Sequence, residues 1–240
     1  MIPMDEVAFP SVFCRAHGVM GVAKPAGVHV FGDESLASWL VERYPHMATV
    51  GPADEPAFVH RLDRGTSGIM LAAEEQRSYD QLRRLFSSSG VKKSYLALVE
   101  GKVGNTLSID KPLGGRYRRS ARVWVDDGIR RLRGVKPAKT RVEPLACCGG
   151  FCLCRVMITT GTRHQIRAHL SYLGHPVVGD QLYGAEKVLA EIDHGFFLHA
   201  HRLEFVAPKT AETLSWTCPP DRNFINMLAI VGIDTQAITP

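Results

Sequence analysis

One carboxylate, Asp63, stands between two guanidinium groups, Arg61 and Arg64, in the stretch F-V-H-R-L-D-R-G-T-S-G-I-M from Phe58 to Met70. Apolar runs flank it, Ala57–Val59 before and Ile69–Ala73 after, and Gly65-Thr66-Ser67-Gly68 reads as a turn. The pattern predicts two buried strands joined by a short rigid loop that carries Asp63, the kind of position where functional groups sit. Two adjacent cations favour the ionised carboxylate, which suits a nucleophile or an electrostatic stabiliser better than a general acid. A structural ion pair beside a turn would show the same charge pattern.

The surrounding chain alternates short apolar runs with turns. Val19–Ala23 reads as a strand, Lys24-Pro25-Ala26-Gly27 as a turn, and Val28-His29-Val30 as a further strand. Lys24 is either a phosphate contact or a solvated turn lysine. Ser35–Tyr44 has helical spacing with Asp33 or Ser35 as cap, and Ser78–Ser88 is a second helix ended by Gly90. Lys92–Val99 is apolar on both faces and reads as a buried strand. On this reading alone Tyr95 within it is core packing.

Arg116–Arg141 is the most basic segment. It holds ten Lys or Arg, among them Arg118, Arg119 and Arg122, with only Asp126 and Asp127 opposing them and with Tyr117 and Trp124 interleaved. Arginines mixed with aromatics suit phosphate contact and stacking, so the segment is read as RNA-contacting in preference to a solvated hairpin. Cys147, Cys148, Cys152 and Cys154 lack the second ligand pair of a zinc site and are expected to be small buried hydrophobes around a Gly149-Gly150 hairpin turn. His164 with His169, and His199 with His201, are read as packed histidines. No metal site is expected.

The string H-R-L-D-R-G-T-S-G closely resembles the signature H-R-L-D-x-x-T-S-G of the RluA-type pseudouridine synthases, which isomerise uridine in structured RNA. The resemblance extends to K-P-x-G at Lys24, K-x-Y-x-A-x-V at Tyr95, T-G-R-x-H-Q-I-R-x-H around Gly161–His169, G-H-P-I-x-G-D at Gly174–Asp180 and L-H-A-x-x-L-x-F at Leu198–Phe205. It implies that Asp63 is the nucleophile and that Arg61 enters the stack when the target base flips out. It implies that Tyr95 meets the base and that Arg167 is the arginine that pairs with the catalytic aspartate in relatives. Where the family has arginine directly after T-G this chain has Thr162, and arginine follows as Arg163. Lys24, Arg61, Arg64, Arg118, Arg119, Arg122 and Arg163 are the candidate RNA contacts. The implied fold is α+β, a large mixed and mostly antiparallel sheet flanked by helices and loops.

The expected organisation is an extension over residues 1–18, one catalytic domain over 19–228 and a frayed tail over 229–240. Since the catalytic pattern begins within two dozen residues, no space is expected for the small RNA-binding module that many relatives carry. The chain has 240 residues, 29 basic against 24 acidic, and a net charge of +5, compatible with a polyanionic partner. Met1–Glu6 lacks a basic leader, and no apolar run approaches the roughly 20 residues that span a bilayer, so a reduced, cytoplasmic protein off the membrane is expected. Structured RNA, ribosomal or transfer, is the expected partner, with no obligate protein partner. Isomerisation needs no cofactor. One rival is an inactive RNA-binding or assembly protein of the same fold. Another is a glycosidase-like hydrolase, which ordinarily requires a second carboxylate. A nucleotide-donor transferase would need a phosphate-cradling glycine loop that is absent here.

Overall fold

Seven consecutive residues, Ser67–Ala73, are buried on both faces, and the strand they form sets the frame for the signature. Full burial of Ile69, Met70 and Leu71 stabilises that frame by about 1.5–3 kcal/mol per side chain. The computed structural model describes residues 10–118, 120–186 and 195–238. In chain order the elements are β1 (Ser11–Ala16), β2 (Val19–Lys24), α1 (Leu36–Arg43), β3 (Ser67–Ala73), α2 (Gln76–Ser87), β4 (Lys92–Glu100), β5 (Leu107–Asp110) and β6 (Leu113–Gly115). There follow β7 (Val123–Val125), β8 (Arg133–Lys136), β9 (Lys139–Cys148), β10 (Phe151–Ile158), α3 (Gln165–Tyr172), β11 (Leu198–Val206), β12 (Thr213–Thr217) and α4 (Arg222–Ile230). The class is α+β, as expected, with mixed and mostly antiparallel pairing.

The described residues fall into two compact units. The first comprises the described residues of Met1–Lys93 and His199–Arg222. Its strands run β1-β2-β3-β11-β12, antiparallel except for β3 against β11. That parallel pair explains Gly68 of the signature. Gly68 has φ +112°, and a Cβ there would lie 2.2 Å from the Ala200 carbonyl oxygen and 2.6 Å from its nitrogen. Any side chain would force β3 and β11 apart. Strand β1 lies within the segment expected to be a poorly patterned extension, pairing with β2 from Ser11↔Ala23 to Ala16↔Val19. The expected strand over Val28–Val30 does not form, and Ala57–Val59 contributes a single bridge, Phe58↔Ala72. Ser35 caps α1 reciprocally with Ser38.

The second unit comprises the described residues of Ser94–Leu198 and Asn223–Pro240. Strands β4-β10-β9-β5 form its larger sheet and β7-β6-β8 a smaller one. Leu96 and Leu98 of β4 and Phe151 and Leu153 of β10 pack with Phe224, Met227 and Leu228 of α4. Ile233 and Ile238 join this core at 4% exposure each, so the tail is anchored through Ile238 where fraying was expected. The Gly149-Gly150 turn sets Cys147 opposite Cys152 across β9 and β10, and the two form a disulfide. This corrects the expectation of unpaired, buried thiols: Cys147 and Cys148 are exposed, while Cys152 and Cys154 are buried. No helix among the described residues is long and apolar enough to cross a membrane.

Candidate functional site

The Asp63 loop is built entirely within the first unit. The Asp63 carbonyl accepts from the Thr66 amide at 3.0 Å, closing a tight turn before β3. Ahead of it, His60 accepts from the Leu71 amide through Nε2 at 2.9 Å and stacks on Phe86 at 4.4 Å. Beyond it, the Arg64 carbonyl accepts from the Gly27 amide at 2.9 Å, and Arg64 Nε donates to the Gly27 carbonyl at 2.8 Å. The loop is thus tied at both ends, with Asp63 half-buried and Arg61 exposed between the ties.

Lys24 completes the clamp and corrects both sequence readings of this residue. It is fully buried, and its ammonium donates to the carbonyls of Pro25 and Val28 at 2.8 Å each and of Arg64 at 3.1 Å. An ammonium saturated by three carbonyls and closed off from solvent is a brace between the K-P-x-G turn and the signature. A phosphate has no approach to it. Burial pushes the group down to about 7, an effect that the charge of Asp63 partly offsets and that of Arg64 reinforces. Lys24 and Asp63 are therefore electrostatically coupled.

Under the loop, the Ser67 hydroxyl lies 2.9 Å from His199 Nδ1, and His199 Nε2 lies 3.0 Å from the Cys218 carbonyl. A carbonyl can only accept, so Nε2 carries the hydrogen and Nδ1 accepts from Ser67. Burial pushes both His199 and His60 down to about 3, keeping them neutral. The unfolded chain regains ordinary histidines, so it binds more protons between about pH 6.5 and 3, and stability falls as pH falls through that window. With two such groups the slope near pH 5 approaches ~2.7 kcal/mol per pH unit. Urea unfolding at pH 7 and pH 5 checks this, and equal midpoints would refute it.

The second unit holds the remaining candidates. Helix α3 starts at Gln165, after His164 in the left-handed region at φ 55°. The Gln165 amide accepts from Thr160 Oγ1 and the Thr162 amide and donates to the Lys139 carbonyl and Thr140 Oγ1, stitching the T-T-G-T loop to β9. Thr162, standing where the family pattern has arginine, donates through its hydroxyl to the Pro137 carbonyl at 3.1 Å. Arg163 donates to the Ser120 carbonyl, so the displaced arginine closes onto the basic segment. Arg167 forms a two-pronged pair with Asp180, Nε–Oδ2 2.6 Å and Nη2–Oδ1 2.9 Å, and its guanidinium lies 4.2 Å from the Phe196 ring centroid and 5.0 Å from that of Tyr183. Tyr95 is buried on β4, Arg118 is exposed, and Arg119 lies outside the described residues. The structure thus brings Lys24, Asp63 and Arg64 together, and separately Arg122, Arg163 and Arg167 around Tyr183 and Ser120. Asp180, Tyr183 and His60 were not singled out from sequence, although G-D and H-R-L-D were both on view as motif positions.

The sequence model of the RNA pseudouridylate synthase family matches residues 18–172. The chain belongs to that family. It is 36% identical over 199 residues to an uncharacterized RNA pseudouridine synthase of Chloroflexus aurantiacus, covering 82% of this chain and 60% of that one. It is 30% identical over 236 residues to ribosomal large subunit pseudouridine synthase D of Pseudomonas aeruginosa, covering 91% and 71%. The chain spans about three fifths of the length of the first of these curated relatives. Among solved structures it is similar to human RNA pseudouridylate synthase domain containing 1, with TM-score 0.73, 27% identity and coverage of 92% and 86%. Human RNA pseudouridylate synthase domain containing 4, at 24% identity and TM-score 0.75, shares the fold over 93% and 94%.

Proposed function

We propose that the chain isomerises uridine to pseudouridine in structured RNA, with Asp63 as the nucleophile. The observation that carries this reading is the signature carboxylate itself, held on a loop braced by His60, Lys24 and Arg64 in a member of this family. The RNA backbone docks on basic side chains, and the target uridine leaves its stack at a cost of a few kcal/mol. Arg61, exposed at the loop, takes the vacated place. Ionised Asp63 acts at the ribose and the bond between C1′ and uracil N1 breaks. The uracil turns, C5 bonds to C1′, the C5 proton leaves and N1 gains one. Tyr95 and Arg167 carry the roles of their motifs toward the base and the catalytic carboxylate. Exclusion of water protects the activated ribose. Atoms balance without a redox group, metal or nucleotide.

Ribosomal RNA of the large subunit is the favoured substrate class, because relatives from Haemophilus ducreyi and Pseudomonas aeruginosa carry that substrate in their names. Transfer RNA is the second pool to test, and with either substrate the place of action is the cytoplasm. The experiment is tritium release from RNA labelled at uridine C5, using ribosomal and transfer RNA from cells lacking the protein. Release is expected from the ribosomal pool. Binding without release from either pool would favour the non-catalytic rival and make the Thr162–Arg163 departure the first place to look.

A further inference from the structure

The basic segment folds into more than a charged surface. Trp124, on β7, has the Arg122 guanidinium 4.0 Å from its ring centroid and that of Arg130 at 4.9 Å. Arg122 also lies 4.8 Å from the Tyr183 centroid, so two rings hold its guanidinium by their faces. Arg130 is drawn to Asp127 at 3.4 Å, whereas Arg122 makes no ion pair among the described residues. Its Nε is buried and has no hydrogen-bond partner. Arg122, Trp124, Asp127, Arg130, Tyr172 and Tyr183 line a cavity of about 310 Å³, at the small end of ligand sites, with the Asp127 carboxylate turned to Arg130.

A guanidinium fixed by its faces, with its Nε unpartnered, is set up for an anion that presents two oxygens to the planar fork, as a phosphodiester does with its two non-bridging oxygens. The Trp124 ring is already engaged by two cations, which argues against a stacked base as the occupant. We propose that this cavity binds a backbone phosphodiester of the substrate RNA, a second recognition point in the unit that does not carry Asp63. The assignment rests on the RNA-modifying reading above. It adds that Trp124 acts as a positioning residue, presetting Arg122, and that binding here depends on this platform as well as on charge.

The test uses the full chain and a large-subunit ribosomal RNA fragment, with affinity measured over a range of salt. Arg122→Gln is expected to weaken binding about tenfold and to reduce the slope of log affinity against log salt by about 1. It should raise KM for RNA more than it lowers kcat. Trp124→Leu leaves net charge unchanged and is expected to weaken binding several-fold, an effect that a solvated basic face would not show. Thermal melts separate these effects from misfolding, and Arg122→Lys, which keeps the charge without the planar fork, should remain weakened. Wild type that binds RNA and releases tritium, alongside Arg122→Gln and Trp124→Leu with unchanged affinity and slope, would overturn the cavity assignment alone. Wild type that neither binds RNA nor releases tritium would overturn the functional reading and the RNA occupant together. Inorganic phosphate and uridine monophosphate are titrated against tryptophan fluorescence. Saturable binding of either, lost in Arg122→Gln while the RNA salt slope stays unchanged in that variant, would assign the cavity to a free phosphate and overturn the proposal.

Discussion

Asp63→Ala is expected to abolish tritium release, by about 10⁴-fold or more, while RNA binding stays near wild type. The size follows from the role. A residue whose bond or proton transfer defines the reaction leaves only binding and positioning behind when it is removed. The selectivity follows from the structure, because contacts that do not involve the Asp63 side chain tie the loop at both ends. The Thr66 amide bonds the Asp63 carbonyl, which alanine keeps, and the anchors at His60, Lys24 and Arg64 are untouched. One stability effect runs through Lys24. The Asp63 charge supports the Lys24 ammonium, so its removal drives Lys24 further below about 7. Below that range Lys24 is charged in folded and unfolded chains alike and the folded state bears the burial cost. Above it folded Lys24 is neutral and Asp63 no longer matters to it. The variant should therefore be more destabilised at pH 6 than at pH 8. Substantial turnover by Asp63→Ala, or by the isosteric Asp63→Asn, would remove Asp63 from the chemistry. Loss of RNA binding in parallel with turnover would make it a docking residue.

The signature was legible because its nine residues are contiguous and demand both a turn and a buried strand. The strand after it forms as expected, since Ile69–Ala73 is apolar throughout. The run before it does not. Ala57 adopts φ 61°, and the His60 ring, where a ladder would have continued, meets the Leu71 amide. Lys24 was misread because its acceptors include a carbonyl 40 residues away, and no local pattern marks a lysine as buried. The Cys147–Cys152 pair did have a local signal. A two-residue turn at Gly149-Gly150 sets Cys148 against Phe151 and hence Cys147 against Cys152. Counting register from that turn would have found it. A terminal segment is expected to fray, yet Ile233 and Ile238 each fill the core beside α4. For Arg167 the motif gave the residue and left its Asp180 partner unassigned, because that pairing depends on the return of the chain after α3.

That pairing carries the second large effect. Asp180→Ala is expected to destabilise the protein by about 3–5 kcal/mol, because it removes the two-pronged carboxylate partner of the Arg167 guanidinium, whose side chain is 7% exposed. For a chain of this length the melting temperature should fall by roughly 10 °C. Turnover should fall as well. Phe196 and Tyr183 hold the guanidinium by its faces, and the two-pronged Asp180 contact sets its rotation in plane. Stability and activity are separable here. Replacing both partners, Arg167→Met with Asp180→Leu, removes the buried charges along with the pair, and well-packed apolar substitutes of a buried ion pair cost little. Urea unfolding of this double variant should lie within about 1–2 kcal/mol of wild type, with tritium release still absent. Recovery of both stability and release would make the pair a structural brace and take Arg167 out of the reaction. Recovery of stability alone would show that the Arg167–Asp180 pair serves turnover beyond bracing the fold.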